Sequence, residues 1–230
     1  MKILNSVMIY QLLIFLISMM NMTDQKPKLI YVGDPMCSWC YGIAEELAQT
    51  TEYYEETLDL EIIMGGLRAG GGEEWNTQFK DFLKHHWEDV GMLSGQPFKF
   101  DILEWEAFDY DTEPSCRAVV SAQTIDPDKA LAFFKEVQKG FYLENRDPKL
   151  IDFYEGICTK LDIDFELFKS KFDTQEMKVA TQQHFQRSQQ IGVKSFPTIL
   201  IMHKGQMHLI ASGYSTFDKM KEKIDSVFNE

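Results

Sequence analysis

GDPMCSWCYG, residues 33–42, holds two cysteines, Cys37 and Cys40, with a serine and a tryptophan between them. That spacing serves a redox pair, half of a metal site, or two buried thiols, and the stretch alone leaves all three open. Its flanks arbitrate. Before it runs LIYVGD (29–34), a short apolar segment closed by Gly and Asp-Pro, which reads as a buried strand. After it, from Ser38 to about Tyr54, Trp39, Ile43, Leu47 and Tyr54 recur at helical spacing. LDLEIIMGG (58–66) reads as a second strand ended by glycines. The cysteines therefore belong at the strand-to-helix turn of a β-α-β unit.

Further along, RAGGGEEWN reads as a glycine-rich loop, and the patterns beyond it are helical: Phe79, Phe82, Leu83, Trp87 and Val90, then 116–124, 129–144, 148–161, 164–172 and 175–190. Prolines at 97, 114, 127 and 148 punctuate them. This stretch reads as a helical insert, with the Phe79/Phe82/Leu83/Trp87 stripe as its core. The chain then returns to strands. TILIMHKGQMHLIASG (198–213) is two apolar runs around Lys204-Gly205, a hairpin signal. STFDKMKEKIDSVF opens with a Ser/Thr/Asp cap and carries Phe217, Met220, Ile224 and Phe228 as one apolar stripe. The order is βαβ, helices, ββα.

With 230 residues, 44% of them hydrophobic, the chain can bury a substantial core without disulfides. Its net charge of -13 argues against a polyanionic partner, because nucleic-acid affinity is drawn from basic patches. Of the 4 cysteines, Cys116 and Cys158 lie far from the pair and from each other, and both read as buried thiols. Zinc would ask for a second Cys-x-x-Cys or a His pair at ligand spacing; His85 and His86 are adjacent, so no metal is expected. The first residues, MKILNSVMIYQLLIFLISMM, have the charged start and apolar run of an export signal but no small-residue cleavage site. MTDQKPKLIYVGD from Met22 reads equally as a natural start, and the reading leans to it. That places the protein in the cytoplasm, the alternative being the periplasm or a membrane tether.

The order of elements decides between the readings of the cysteine pair in favour of redox chemistry. A thiolate attacks disulfides, and a cysteine at the first turn of a helix meets unpaired N–H groups and the positive end of the helix dipole. Cys37 is then the nucleophile. Cys40, one turn on, resolves the mixed disulfide. Pro197 in VKSFPTIL stands directly before a strand, where a cis X-Pro bond is expected, leaving its neighbour's backbone free for an extended substrate.

GDPMCSWCYG, MGGLRAG, TEPSCRAV and GVKSFPTIL together resemble the DsbA superfamily of thioredoxin-fold proteins, nearest its FrnE-like, protein-disulfide isomerase branch. The resemblance implies an α/β thioredoxin fold (βαβ…ββα) with a large all-helical domain inserted between its halves. The expected layout is a leader or N-terminal segment (1–27), a first half (28–66), the insert (67–190) and a second half (191–230). It also implies a thiol–disulfide oxidoreductase or isomerase with Cys37, Cys40 and Pro197 at the site. Trp39, Phe196 and Thr198 are expected at the substrate groove. No metal or organic cofactor is expected; the partners are protein or peptide thiols and disulfides, with glutathione as a candidate co-substrate. The Ser38-Trp39 dipeptide departs from the Pro-His of strong oxidants and the Gly-Pro of thioredoxins, so the direction of electron flow stays open. The competing reading is a glutathione-dependent isomerase or transferase of the 2-hydroxychromene-2-carboxylate isomerase or kappa class. Those relatives usually carry serine where Cys37 stands.

Overall fold

The computed structural model describes residues 10–11 and 26–229. The leader expected over residues 1–27 lies almost wholly outside them. β1 (Lys28–Gly33) is buried from Leu29 onward, and a strand so continuously apolar belongs where both faces are covered. It lies inside the sheet. β1 pairs in parallel with β2 (Asp59–Met64) and antiparallel with β3 (Thr198–His203), which pairs antiparallel with β4 (Gln206–Ser212). The sheet order is β2-β1-β3-β4. Lys204 and Gly205, at φ 48° and 76°, make the hairpin turn with the two left-handed residues that a type I′ turn requires.

Alternation along β1 divides its surroundings. Leu29 and Tyr31 enter one core with Ile43, Leu47, Phe134 and Ile224. Ile30 and Val32 enter another with Ile63 and Leu200. The helical spacing after Ser38 predicts one helix to about Tyr54. The chain instead forms α1 (Ser38–Gly42) and α2 (Ala44–Tyr53), parted at Ile43, whose ψ is -4°. A Cβ on Gly42 would stand 2.7 Å from Val90 Cγ1, so the glycine seats α1 hard against α3 (Thr77–Ser94) while the bend redirects α2.

Between β2 and β3 the regular elements of the described residues are helical: α3, α4 (Glu113–Ile125), α5 (Ala130–Tyr142), α6 (Glu155–Lys160), α7 (Phe165–Phe172) and α8 (Gln175–Gln190), with short 3-10 turns. Asn76, Asp164 and Thr174 cap α3, α7 and α8 by accepting the N–H of Phe79, Leu167 and Met177. The pattern over 148–161 predicts a single helix. It is a 3-10 turn at Ile151–Phe153 followed by α6, and between them buried Tyr154 donates its hydroxyl back to Pro148 O.

The insert builds an aromatic core around Trp87, Tyr110, Phe141 and Tyr142, and Met36 and Tyr41, from either side of the cysteines, join it. Tyr41 stacks on Tyr142 with centroids 4.9 Å apart, and the Tyr110 hydroxyl donates to Met36 O at 2.7 Å. The cysteine turn is thus held between two cores. α9 (Phe217–Phe228) closes the fold, but its Ser/Thr cap does not form: Thr216 makes no side-chain bond, and Glu46 of α2 accepts the Phe217 N–H at 2.6 Å instead. Among the described residues no helix is long and apolar enough to cross a membrane.

Candidate active site

Cys37 stands at the N-cap of α1 with extended backbone (φ -87°, ψ 117°), its carbonyl already accepting from Tyr41 N at 3.1 Å. Its own N–H is held by Asp34 O at 3.0 Å. Asp34 braces the turn through its side chain as well. The carboxylate is fully buried and accepts Met36 N–H at 2.8 Å, Leu67 N–H at 2.7 Å and the Cys116 thiol at 3.4 Å. Burial pushes the Asp34 carboxyl up, against hydrogen bonds from Thr112, Leu67, Met36 and Cys116 that favour its charge. One side chain thereby ties the cysteine turn to the loop after β2 and to α4.

The second wall comes from the far end of the chain. The Phe196–Pro197 peptide is cis, and Phe196 O faces the Cys37 thiol, which donates to it at 3.6 Å. Pro197 O accepts from Gly213 N at 2.8 Å, and the Thr198 hydroxyl donates to Ser195 O at 2.7 Å, fixing the loop to the sheet. The Phe196 ring rests over Gly65, where a Cβ would come within 2.2 Å of it.

Behind Cys37 lies Cys40, 1% exposed. Burial raises its thiol well above the usual range and the neighbouring Cys37 adds to this, while the Asp34 N–H and the Tyr31 hydroxyl pull the other way. Cys116 and Cys158 are also buried, and burial raises both thiols, that of Cys158 to about 12.

In front of Cys37 opens a cleft of about 340 Å³ lined by Met36, Cys37, Trp39, Leu67, Phe82, Trp87, Tyr110 and Phe196, with Arg68 and Lys194 as its cations and His86 beside them. The structure therefore brings Cys37, Trp39 and Phe196 to one surface and stands Cys40, Pro197 and Thr198 behind it. Phe82, read with the core stripe of the insert, turns outward at 45% exposure and walls the cleft. Asp34, Gly65 and Phe82 are the contributors that pattern reading passed over; the paired glycines of MGGLRAG were the one sign that something packs closely there. A buried hydroxyl beside a thiol and an open cationic cleft before another suit a nucleophile in front and a resolving sulfur behind.

A sequence profile for the family described as thioredoxin matches residues 30–222. The fold superposes on a proposed protein disulfide isomerase from Nitrosomonas europaea at TM-score 0.82 and 33% identity, covering 89% of this chain and 98% of that one. It also superposes on the cytosolic disulfide reductase DsbM from Pseudomonas aeruginosa, at TM-score 0.71 and 22% identity over 88% of this chain and 98% of that one, a protein also solved with GSH. A 2-hydroxychromene-2-carboxylate isomerase superposes at TM-score 0.59 with 14% identity, over 87% and 94% of the two chains. No curated protein matches the chain in sequence.

Proposed function

The chain belongs to the thioredoxin family and has the DsbA-superfamily form of its fold, and from that premise we propose that it is a thiol–disulfide oxidoreductase of protein or peptide thiols. One observation carries the reading: the Cys37 sulfur, at a helix start, faces Phe196 O at 3.6 Å on the floor of an open cleft, with Cys40 one turn behind it. Cys37 as thiolate attacks a substrate disulfide, and one substrate sulfur leaves as a thiol. Cys40 then attacks the Cys37 sulfur, forming the Cys37–Cys40 disulfide and releasing the second substrate thiol. The carbonyl of Phe196, beside cis Pro197, offers an acceptor to the backbone of an extended substrate at the same place. Trp39 and Phe196 supply apolar contact to that substrate, and Thr198 holds the loop.

Arg68, which Glu73 pairs at 2.6 Å, His86 and Lys194 line the cleft, and no acid among the described residues lines it. In a chain of net charge -13 this favours an acidic thiol such as glutathione as the partner that resets the pair. No metal or organic cofactor takes part in these steps. The reading expects the cytoplasm as compartment.

Insulin reduction tests it. Cys37→Ser is expected to abolish turnover, and Cys40→Ser to accumulate mixed disulfides through Cys37, seen as a mass increase that dithiothreitol removes. Wild-type turnover in the Cys37→Ser protein would sink the assignment.

A further inference from the structure

Three side chains of the described residues, Glu61, Gln138 and Tyr142, keep a buried polar atom without a hydrogen-bond partner, and Gln138 alone does so at two atoms. Gln138 of α5 is 1% exposed, and neither its side-chain nitrogen nor its oxygen has a hydrogen-bond partner among the described residues. A buried amide left unpaired costs about 1–3 kcal/mol for each group, and in a native core such a group calls for an explanation. Its position supplies one. Leu131, Phe134, Lys135 and Gln138 fall at one face of α5, and that face closes a narrow crevice whose other wall is Tyr31, Cys40, Ala44 and Leu47. The Tyr31 ring packs edge-on against Phe134 at 5.4 Å, which fixes the insert against the sheet beneath the cysteine pair.

The crevice has no room for a water molecule, so the partner of the amide has to be a protein group. Lys135 is a donor already paired with Glu45 at 3.2 Å. Of the other side chains that line the crevice, only those of Cys40 and Tyr31 carry a polar or sulfur atom. A neutral thiol is a poor acceptor, whereas a thiolate is a strong one.

We propose that Gln138 is a positioning residue of the resolving step: its side-chain amide turns to donate to the Cys40 sulfur when that sulfur ionises to attack Cys37. The inference rests on the oxidoreductase reading and deepens it. In this step Cys40 gives up its proton and its thiolate forms a bond to the Cys37 sulfur. The bond between Cys37 and the substrate sulfur breaks, and the leaving thiolate takes up a proton. The substrate disulfide is the oxidant, and the cysteine pair ends oxidised. Cys37 faces the open cleft and does not line this crevice, so the first attack does not involve Gln138. The inserted helical segment thereby acts on substrate release and not on substrate capture.

Gln138→Met keeps the length of the side chain and removes its donor; Gln138→Leu is the second variant should the first fail to fold. In single-turnover measurements with a peptide disulfide, formation of the mixed disulfide is expected at the wild-type rate. Its resolution is expected to slow roughly ten- to hundredfold, the span of a hydrogen bond to a charged group. The melting temperature is expected to hold or rise, since an unpaired amide leaves the core. A second readout does not depend on turnover. In the Cys37→Ser background the Cys40 sulfur is faced by Tyr31 of β1, by the Asp34 N–H at the turn and by Ser in place of Cys37, with Lys135 and Gln138 lining the same crevice. There the Cys40 ¹³Cβ shift is expected to titrate at higher pH with Gln138→Met than without it.

If wild type turns over and the variant resolves equally fast, the role of Gln138 falls and the oxidoreductase reading stands. A variant that captures substrate as slowly as it resolves it also overturns the role, since that is general damage. If wild type shows no turnover, the oxidoreductase reading falls, and an unchanged Cys40 titration then overturns the inference on its own.

Discussion

A carbonyl 3.6 Å from a sulfur is only as well placed as the ring that carries it. The Phe196 ring has its seat on Gly65, and a methyl group there would come within 2.2 Å of ring carbons. Gly65→Ala is therefore expected to shift Phe196 off Cys37 and lower turnover by about ten- to hundredfold, the cost of a displacement near 1 Å at a reacting centre. Both cysteines would still react with iodoacetamide in the unfolded protein, which separates this loss from damage to the sulfurs. Asp34 sets the other wall. Asp34→Ala leaves the Met36 and Leu67 N–H groups without an acceptor, at about 1–3 kcal/mol each, and urea unfolding is expected to show the loss as a lowered midpoint. Cys37, Cys40 and Pro197 stood out in the sequence because a Cys-x-x-Cys after a strand and a proline directly before one are local patterns. Asp34 passed for the end of a strand because two of its partners, Leu67 and Cys116, lie 33 and 82 residues away. No local pattern records them.

Elements show the same division. The strands and their order were readable from apolar runs, and the Lys204-Gly205 turn from its composition, because each depends on neighbours in sequence. The break at Ile43 was not, because it answers to Val90 on α3 meeting Gly42. Nor was the cap of α9, supplied by Glu46 at a separation of 171 residues. α8 carries another such tie: His184 Nδ1 accepts the Met64 N–H at the outer edge of β2, at 3.2 Å. That bond needs the neutral imidazole, and burial, with help from Arg187, lowers the His184 pKa. The unfolded chain, with His near ~6.5, then takes up the proton first as pH falls. The stabilisation is complete above that value and is lost as pH drops through the folded one. His184→Gln, which keeps an acceptor but does not titrate, is expected to flatten the fall in urea midpoint between about pH 7.5 and about pH 5.5. An equal slope in both proteins would remove His184 as its source.

Over the whole molecule the insert and the sheet behave as one body, because Met36 and Tyr41 belong to the aromatic core of the insert while Cys37 and Cys40 belong to that of the sheet. Trp87→Ala is expected to cost about 3–5 kcal/mol, and near-UV dichroism and Cys40 accessibility should follow a single urea transition. Two separated transitions would mean that the insert melts by itself. The element order told that an insert exists; that its core reaches around the cysteine turn depended on aromatic contacts far apart in the chain. Distance along the chain has a further meaning, in time. Cys37 and the carbonyl it faces are 159 residues apart, and a ribosome adding about 5–20 residues per second needs roughly 8–32 s to cover that interval. Throughout it the nascent chain carries both thiols with no Pro197 loop opposite them, and β1 has an open edge where β3 will pair. On the proposed reading, selection among substrates by the Phe196 carbonyl starts only when the β3–β4 hairpin has left the ribosome.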